Sequence, residues 1–261
     1  MDNKDTSGQN GLNAEDYFIA YLDILGYAEN VLKEEERNNG TFFSIIRECV
    51  NASEYFVKNS SDIHKNAEIK MRIFTDNFLY CTKKDYLTLL NIISMLQTIF
   101  MQKNIFIRGA LYYGKLYIDD NFIYGKGVID AYRLESEIAI FPRIIIDETF
   151  FQGALGIETI KYHDDVTLEK ILIGLKTHYC IDFDNNKFID YLGNIKYILD
   201  AIFPETMGFN FDNLLRIHAN FICENLKTEN KRKSQKYQWC KKYHNDICKR
   251  YKCNSFVIHK I

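Results

Sequence analysis

The chain has 261 residues, 47% of them hydrophobic and 15% aromatic, with two prolines and a formal net charge of −2. This composition excludes global disorder and a proline-rich linker, and the near-neutral balance advertises no polyanion as partner for the whole chain. The length is long for one average domain and short for two.

Residues 1–15 are polar and acidic and read as a disordered tail. They lack the apolar stretch of a secretory signal. YFIAYLDIL is an apolar, aromatic-rich run that predicts a buried strand with one carboxylate, Asp23, set into it. TFFSIIRECVNASEYFVKN has helical spacing, and SSDIHKNAE predicts a loop. IKMRIF and FLYC predict two strands joined by Thr75-Asp76-Asn77, a hairpin with a second carboxylate at its tip. KDYLTLLNIISMLQTIFMQKN is a strong helix. Asn91, Ser94 and Gln97 interrupt its apolar run, and no run reaches the roughly 18 apolar residues of a membrane span. IFIRGALYYGKLYID predicts a strand in which Gly109 and Gly114 mark a bulge or a close approach. YGKGVIDAYRLESEIA opens with two glycines and becomes a helix, and PRIIID is another strand. The order β-α-β-β-α-β-α-β predicts an α+β fold, a ferredoxin-like βαββαβ core with the last helix and strand appended.

Beyond about residue 150 the pattern weakens. KTHYCIDF and KFIDYL predict two short strands, and residues 191–203 and 210–252 predict helix. KTENKRKSQKYQWCKKYHNDICKRYK is strongly basic and reads as a solvated helix face. A nucleic-acid surface is the alternative, because Tyr237, Trp239 and Tyr243 interleave with the lysines. Cys240, His244 and Cys248 share one helix face with Cys253 beyond them, but a single helix seldom wraps a tetrahedral zinc ion. Seven cysteines without framework spacing point to free thiols in a reducing cytoplasm.

The two carboxylates need an explanation, since an unpaired charge is costly to bury. In a βαββαβ sheet the first strand lies beside the hairpin, so Asp23 and Asp76 converge. A divalent cation relieves the repulsion of two such groups, and two hard ions held by two aspartates serve phosphoryl chemistry. The plainer alternative has Asp23 capping a helix that begins at Leu25, with Asp76 a mere turn residue.

Three blocks, YLDILGY, RIFTDNFLY and RGALYYG…YGKGVIDAYRLE, together resemble the class III nucleotidyl cyclase catalytic domain over about residues 17–150. The resemblance implies a cyclase-like catalytic domain over 16–155 and a C-terminal extension, 156–261, of short strands and then helices packed on the same domain. It implies that Asp23 and Asp76 hold two Mg²⁺ or Mn²⁺ ions per site. The backbone of Ile24, Leu25 and Gly26 would cradle the triphosphate, as helix N-terminal amides can. Arg108 would meet phosphate oxygens, and Arg133 would stabilise charge on the α-phosphate. In this family that last arginine comes from the opposite subunit, so the implied assembly is a homodimer with both active sites at its interface.

The departures from the family pattern bear on substrate. Ile129 stands where an asparagine usually orients the ribose, so Asp130 or another residue must compensate. Thr75 replaces the usual glycine of the hairpin. Arg72 and Phe122 replace the lysine and the acid that read adenine. Arginine can donate to a pyrimidine carbonyl and phenylalanine can stack on a smaller base. These features look like the pyrimidine cyclases of Pycsar anti-phage defence, small proteins making cyclic UMP or cyclic CMP. UTP is preferred over CTP because uracil offers two carbonyl acceptors. The implied protein is cytoplasmic, with no membrane partner and no expected nucleic-acid partner. Two alternatives stay open: a cyclase-fold protein that binds nucleotide with weak or no turnover, and a palm-like nucleic-acid-binding domain.

Overall fold

A computed structural model describes residues 13–63, 68–162, 166–202 and 210–259. The expected tail up to residue 12 and part of the expected 60–68 loop lie outside these. The first strand, β1, is Glu15–Ile24, followed by helices α1 (Tyr27–Arg37) and α2 (Thr41–Ile63). Strands β2 (Lys70–Phe74) and β3 (Asn77–Thr82) form the hairpin, and α3 (Tyr86–Gln102) leads to β4 (Ile107–Ile118). Then come β5 (Ile123–Tyr124), α4 (Lys126–Arg133), β6 (Ile144–Ile146) and α5 (Glu148–Tyr162). The C-terminal part adds α6 (Leu168–Gly174), β7 (Tyr179–Ile181), β8 (Lys187–Ile189), α7 (Tyr191–Ile202), α8 (Phe211–Leu226) and α9 (Lys231–Arg250).

The sheet runs β2-β3-β1-β4-β6-β8-β7, with the short β5 pairing β4. Its first four strands have the ferredoxin-like order, and β6 is parallel to β4 as the appended strand. The predicted α+β class therefore describes the molecule, and the predicted order does so once α1 and the short β5, neither of them expected, are added. Three local expectations do not. Helix α2 continues through residues 60–63, where a loop was expected, because no glycine or proline stops it there. The helix expected over 210–252 is two helices, because the Asn230 side chain accepts from the Lys233 amide and starts α9 afresh. Asp23 caps no helix: it lies within β1, and Gly26, at φ 78°, precedes α1 without a side-chain cap.

Strand alternation gives β1 two different faces. Phe18, Ala20, Leu22 and Ile24 enter the main core with Phe78, Tyr80 and the buried side of α3. Tyr17 and Ile19 enter a smaller cluster with Leu79, Cys81, Leu116 and Ala131 of α4. Gly109 is needed for close approach, since a Cβ there would stand 2.3 Å from the Tyr21 carbonyl oxygen of β1. No helix among the described residues is long and apolar enough to cross a membrane.

Candidate active site

Sheet register assembles the site. Asp23 pairs with Asn77 of β3 on one side and Arg108 of β4 on the other. The Ile24 amide donates to the Asp76 carbonyl at 3.1 Å, which ties the hairpin turn to the end of β1. The turn itself is tight. Thr75 sits at φ 53°, a conformation that a β-branched residue rarely adopts. Its hydroxyl bonds the Phe74 carbonyl at 2.7 Å and Asp76 Oδ1 at 2.8 Å, and Asn77 Nδ2 also donates to Asp76 Oδ1 at 3.1 Å. One oxygen of Asp76 is thereby held by its own turn.

Arg108 stands between two acids. Its Nε donates to Asp23 Oδ2 at 2.9 Å and lies 2.7 Å from Glu135 Oε1. One Nε–H aimed at Asp23 leaves that Glu135 oxygen buried without a hydrogen bond. Glu135 reaches this place because α4 widens after Arg133 into a π turn, Leu134–Ile138, a distortion common at functional sites. Burial pushes the Glu135 carboxyl up to about 7 despite Arg108, with Asp23 and Asp76 adding to the rise. Burial likewise raises Asp23, Arg108 opposes it, and the neighbouring Asp76 carboxylate adds to the rise.

Asp23, Asp76 and Arg108 open onto a cavity of about 380 Å³. Asp23, Asp76 and the β1–α1 turn form one side of it, with Arg108; Asn230, Arg232, Lys233 and Lys236 of the α9 start form the other. Ile24 and Leu25 have already committed their amides, to the carbonyls of Asp76 and Phe106. Ile24 and Leu25, expected with Gly26 to cradle phosphates, therefore have no free amide to offer, whereas the first-turn amides of α1, Tyr27, Ala28 and Glu29, have no intrahelical acceptor. Lys233 pairs with Glu29, and with Lys33 holds that carboxyl down at about 2.

The other expected residues are placed apart from this cavity. Arg133 ends α4 and is exposed. Ile129 is exposed too, while Asp130 accepts from Tyr112 Oη at 2.9 Å and pairs with Lys126. Arg72 lies on β2 opposite Leu79; its Nη2 donates to the Asp119 carbonyl at 2.6 Å and its Nη1 to the Met71 carbonyl at 2.8 Å. Phe122 belongs to the same Asp119 turn, where its amide donates to Asp119 Oδ1 at 2.8 Å, and its ring stacks on Tyr124 with centroids 6.1 Å apart. Arg72 and Phe122 are thus brought to one turn.

Sequence reasoning missed Glu135, Arg232, Lys233 and Lys236. The glutamate stood in the quoted AYRLE block but received no role. The basic residues offered no local signal, because only tertiary packing turns the start of α9 toward β1. Trp239 and Tyr243, expected among surface aromatics, are buried, and Cys240, His244 and Cys248 face the core. No group of three or more His, Cys, Asp or Glu among the described residues is arranged to hold a metal ion.

No family model matches the chain, and no curated protein is significantly similar to it. Among solved structures it is similar to the catalytic core of a rhodopsin-guanylyl cyclase with converted specificity in complex with ATPαS, at 15% identity and TM-score 0.42, covering 55% of this chain and 83% of that one. It is similar to the monomeric guanylyl cyclase domain of the RhoGC fusion protein of the aquatic fungus Blastocladiella emersonii, at 14% identity and TM-score 0.44, covering 67% and 95%. A bacterial light-regulated adenylyl cyclase is similar at 12% identity and TM-score 0.37, covering 54% and 46%.

Proposed function

We propose that the chain is a nucleotidyl cyclase that converts a pyrimidine nucleoside triphosphate, UTP in preference to CTP, to the 3′,5′-cyclic nucleotide and pyrophosphate. The observation that carries this reading is the convergence of Asp23 and Asp76 beside Arg108, in one cavity with a cationic opposite wall. Cyclisation asks for little covalent help. The ribose 3′-hydroxyl must be aligned with the α-phosphate, and the developing charge must be met by fixed groups.

Asp23 and Asp76 fit Mg²⁺ or Mn²⁺. They offer hard oxygens on an open cavity, and an ion held by one or two carboxylates completes its shell with water and phosphate. The mutual repulsion that raises the Asp23 carboxyl is a cost that a cation relieves. Two such ions would neutralise charge on the triphosphate. Around them, Gly26 and the first-turn amides of α1 meet phosphate oxygens, and Arg108 supplies guanidinium donors that its two acids leave free. Arg72 and Phe122, which one chain holds apart from this cavity, read the base in the site of a second copy.

Arg133 acts in the site of a second copy. Its exposure supports this, as do the exposed apolar side chains of Phe122, Tyr124, Ile129 and Tyr132 on the β4–β5 turn and α4, which suit a homodimer contact. In this reading the product is a second messenger of anti-phage defence, as in the systems that the sequence resembles.

A second reading, nucleotide binding without turnover, is favoured by one observation: Ile129 cannot hydrogen-bond a ribose. Incubation with each of the four nucleoside triphosphates and Mn²⁺, with products resolved by mass spectrometry, separates the two. The cyclase reading expects cyclic UMP in excess over cyclic CMP and no cyclic purine nucleotide. Bound nucleotide without any cyclic product supports the second reading, and absence of both turnover and binding overturns the two together.

A further inference from the structure

The basic start of α9 has no evident task within the fold. Asn230 caps the helix, and Arg232, Lys233 and Lys236 reach the cavity that holds Asp23 and Asp76. Lys233 is engaged by Glu29. Among the described residues, Arg232 and Lys236 have no hydrogen-bond or ion-pair partner, although Lys236 is half-buried. Burial, Arg108 and Arg232 all push the Lys236 ammonium below its ordinary value and the Asp23 carboxylate only partly offsets them, so cations outweigh anions there. Half-burying a cation among cations is unfavourable unless an anion completes the arrangement.

The position of these residues is fixed by packing. Tyr237, next in sequence to Lys236, packs on Phe106 with centroids 6.0 Å apart and on Phe221 with centroids 5.9 Å apart. The Phe106 carbonyl accepts from the Leu25 amide at 2.9 Å, so the same aromatic contact anchors both α9 and the β1–α1 turn. Arg232 and Lys236 are four residues apart and share a helix face. Both side chains line the cavity that Asp23 and Asp76 also line. One side is therefore suited to cations and the other to a chain of phosphates.

We infer that Arg232 and Lys236 grip the terminal phosphates of the bound nucleoside triphosphate, and then the pyrophosphate product, so that the C-terminal helix forms one wall of the active site. This rests on the cyclase reading above for the identity of the ligand, while the anion grip itself does not need turnover. The two side chains bind substrate in cis, from an extension outside the region that resembles a cyclase. They position the phosphate chain and leave the chemistry at the α-phosphate to other groups.

Calorimetric titration with inorganic pyrophosphate, with and without Mn²⁺, tests this in the full chain. The wild type is compared with Arg232→Gln, Lys236→Met, the double variant and a control, Lys242→Met, in which the altered lysine lies over the Phe183 ring. Each cavity substitution should weaken pyrophosphate binding by roughly ten- to hundredfold, the value of one charge-assisted hydrogen bond. The control should bind as the wild type does. Melting temperatures should not fall, since no internal partner is lost. Pyrophosphate binding by the double variant equal to that of the wild type, or no binding by the wild type in either condition, overturns the inference. If the double variant cyclises nucleotide with unchanged KM, the inference fails and the cyclase reading stands. If pyrophosphate binds through these residues but no nucleotide is cyclised, the anion grip stands and the cyclase reading fails.

Discussion

At the end of β1, Arg108 has one Nε–H between two carboxylates, Asp23 and Glu135. Between α8 and α9, a second buried polar group is built differently. Tyr191 Oη lies 2.8 Å from His218 Nε2, His218 Nδ1 lies 3.1 Å from His244 Nδ1, and His244 Nε2 lies 2.8 Å from the Phe256 carbonyl. A carbonyl only accepts, so His244 must carry its proton on Nε2. Its bare Nδ1 then accepts from His218, whose bare Nε2 accepts from the tyrosine. Every donor in this chain meets one acceptor, and both imidazoles are neutral, in keeping with the burial that pushes both below their ordinary value. The contrast is between a neutral, closed and fully paired network and a charged, open one with a carboxylate held up at about 7. The first strengthens the fold. The second keeps charge where burial opposes it, which is an arrangement suited to a ligand.

The sharpest way to extend the comparison is to ask which region needs a second copy. Asp23→Asn and Arg133→Ala chains should each be nearly inactive. Mixed, they should recover about a quarter of wild-type turnover, because half of randomly formed dimers are mixed and each of those has one intact site of two. Heterodimers that form and stay inactive would mean that each site is built from a single chain.

A smaller effect is expected at Arg72, beside the Asp119 turn. Arg72→Ala should lower kcat/KM for UTP by roughly ten- to hundredfold, the value of one charge-assisted hydrogen bond, and flatten the preference among nucleotides. An unchanged preference with only a shift in melting temperature would make Arg72 a tether for the Asp119 turn, to which it already donates.

The smallest effect distinguishes the two networks by pH. Burial holds His218 and His244 below their ordinary value, so below about pH 6.5 they bind fewer protons folded than unfolded. Each therefore removes stability as the pH falls through that value, by up to about 1.4 kcal/mol per pH unit. Glu135 works in the opposite direction. Folded, its carboxyl is raised from 4.5 to about 7, so between these values the folded state holds the extra proton and acidification restores stability. Urea denaturation at pH 6.5 and 5.5 should therefore show a loss that Glu135→Gln steepens by about 1 kcal/mol and His218→Gln reduces. Equal slopes in the wild type and both variants would remove the distinction.

How much of this was legible follows from how each part is encoded. The meeting of Asp23 with Asp76 was legible because a βαββαβ order sets the first strand beside the hairpin, and β1 does pair with β3. Which amides would be spent on pairing was not legible, because Ile24 and Leu25 bond to residues far along the chain. The basic run at the start of α9 looked like a solvated face, since nothing in its own sequence records that Tyr237 will dock on Phe106. Cys240, His244 and Cys248 were rightly placed on one helix face, but what that face meets is decided by α8.

Under the proposed function, Asp23 and Asp76 form the working site of a nucleotidyl cyclase and are not there for stability. The most direct measurement is Asp76→Asn, assayed for cyclic nucleotide by mass spectrometry alongside a melting curve without metal. Cyclic product should disappear while the melting temperature holds or rises, because the repulsion with Asp23 is relieved. Cyclic product at the wild-type rate, or loss of the fold together with loss of activity, would contradict it.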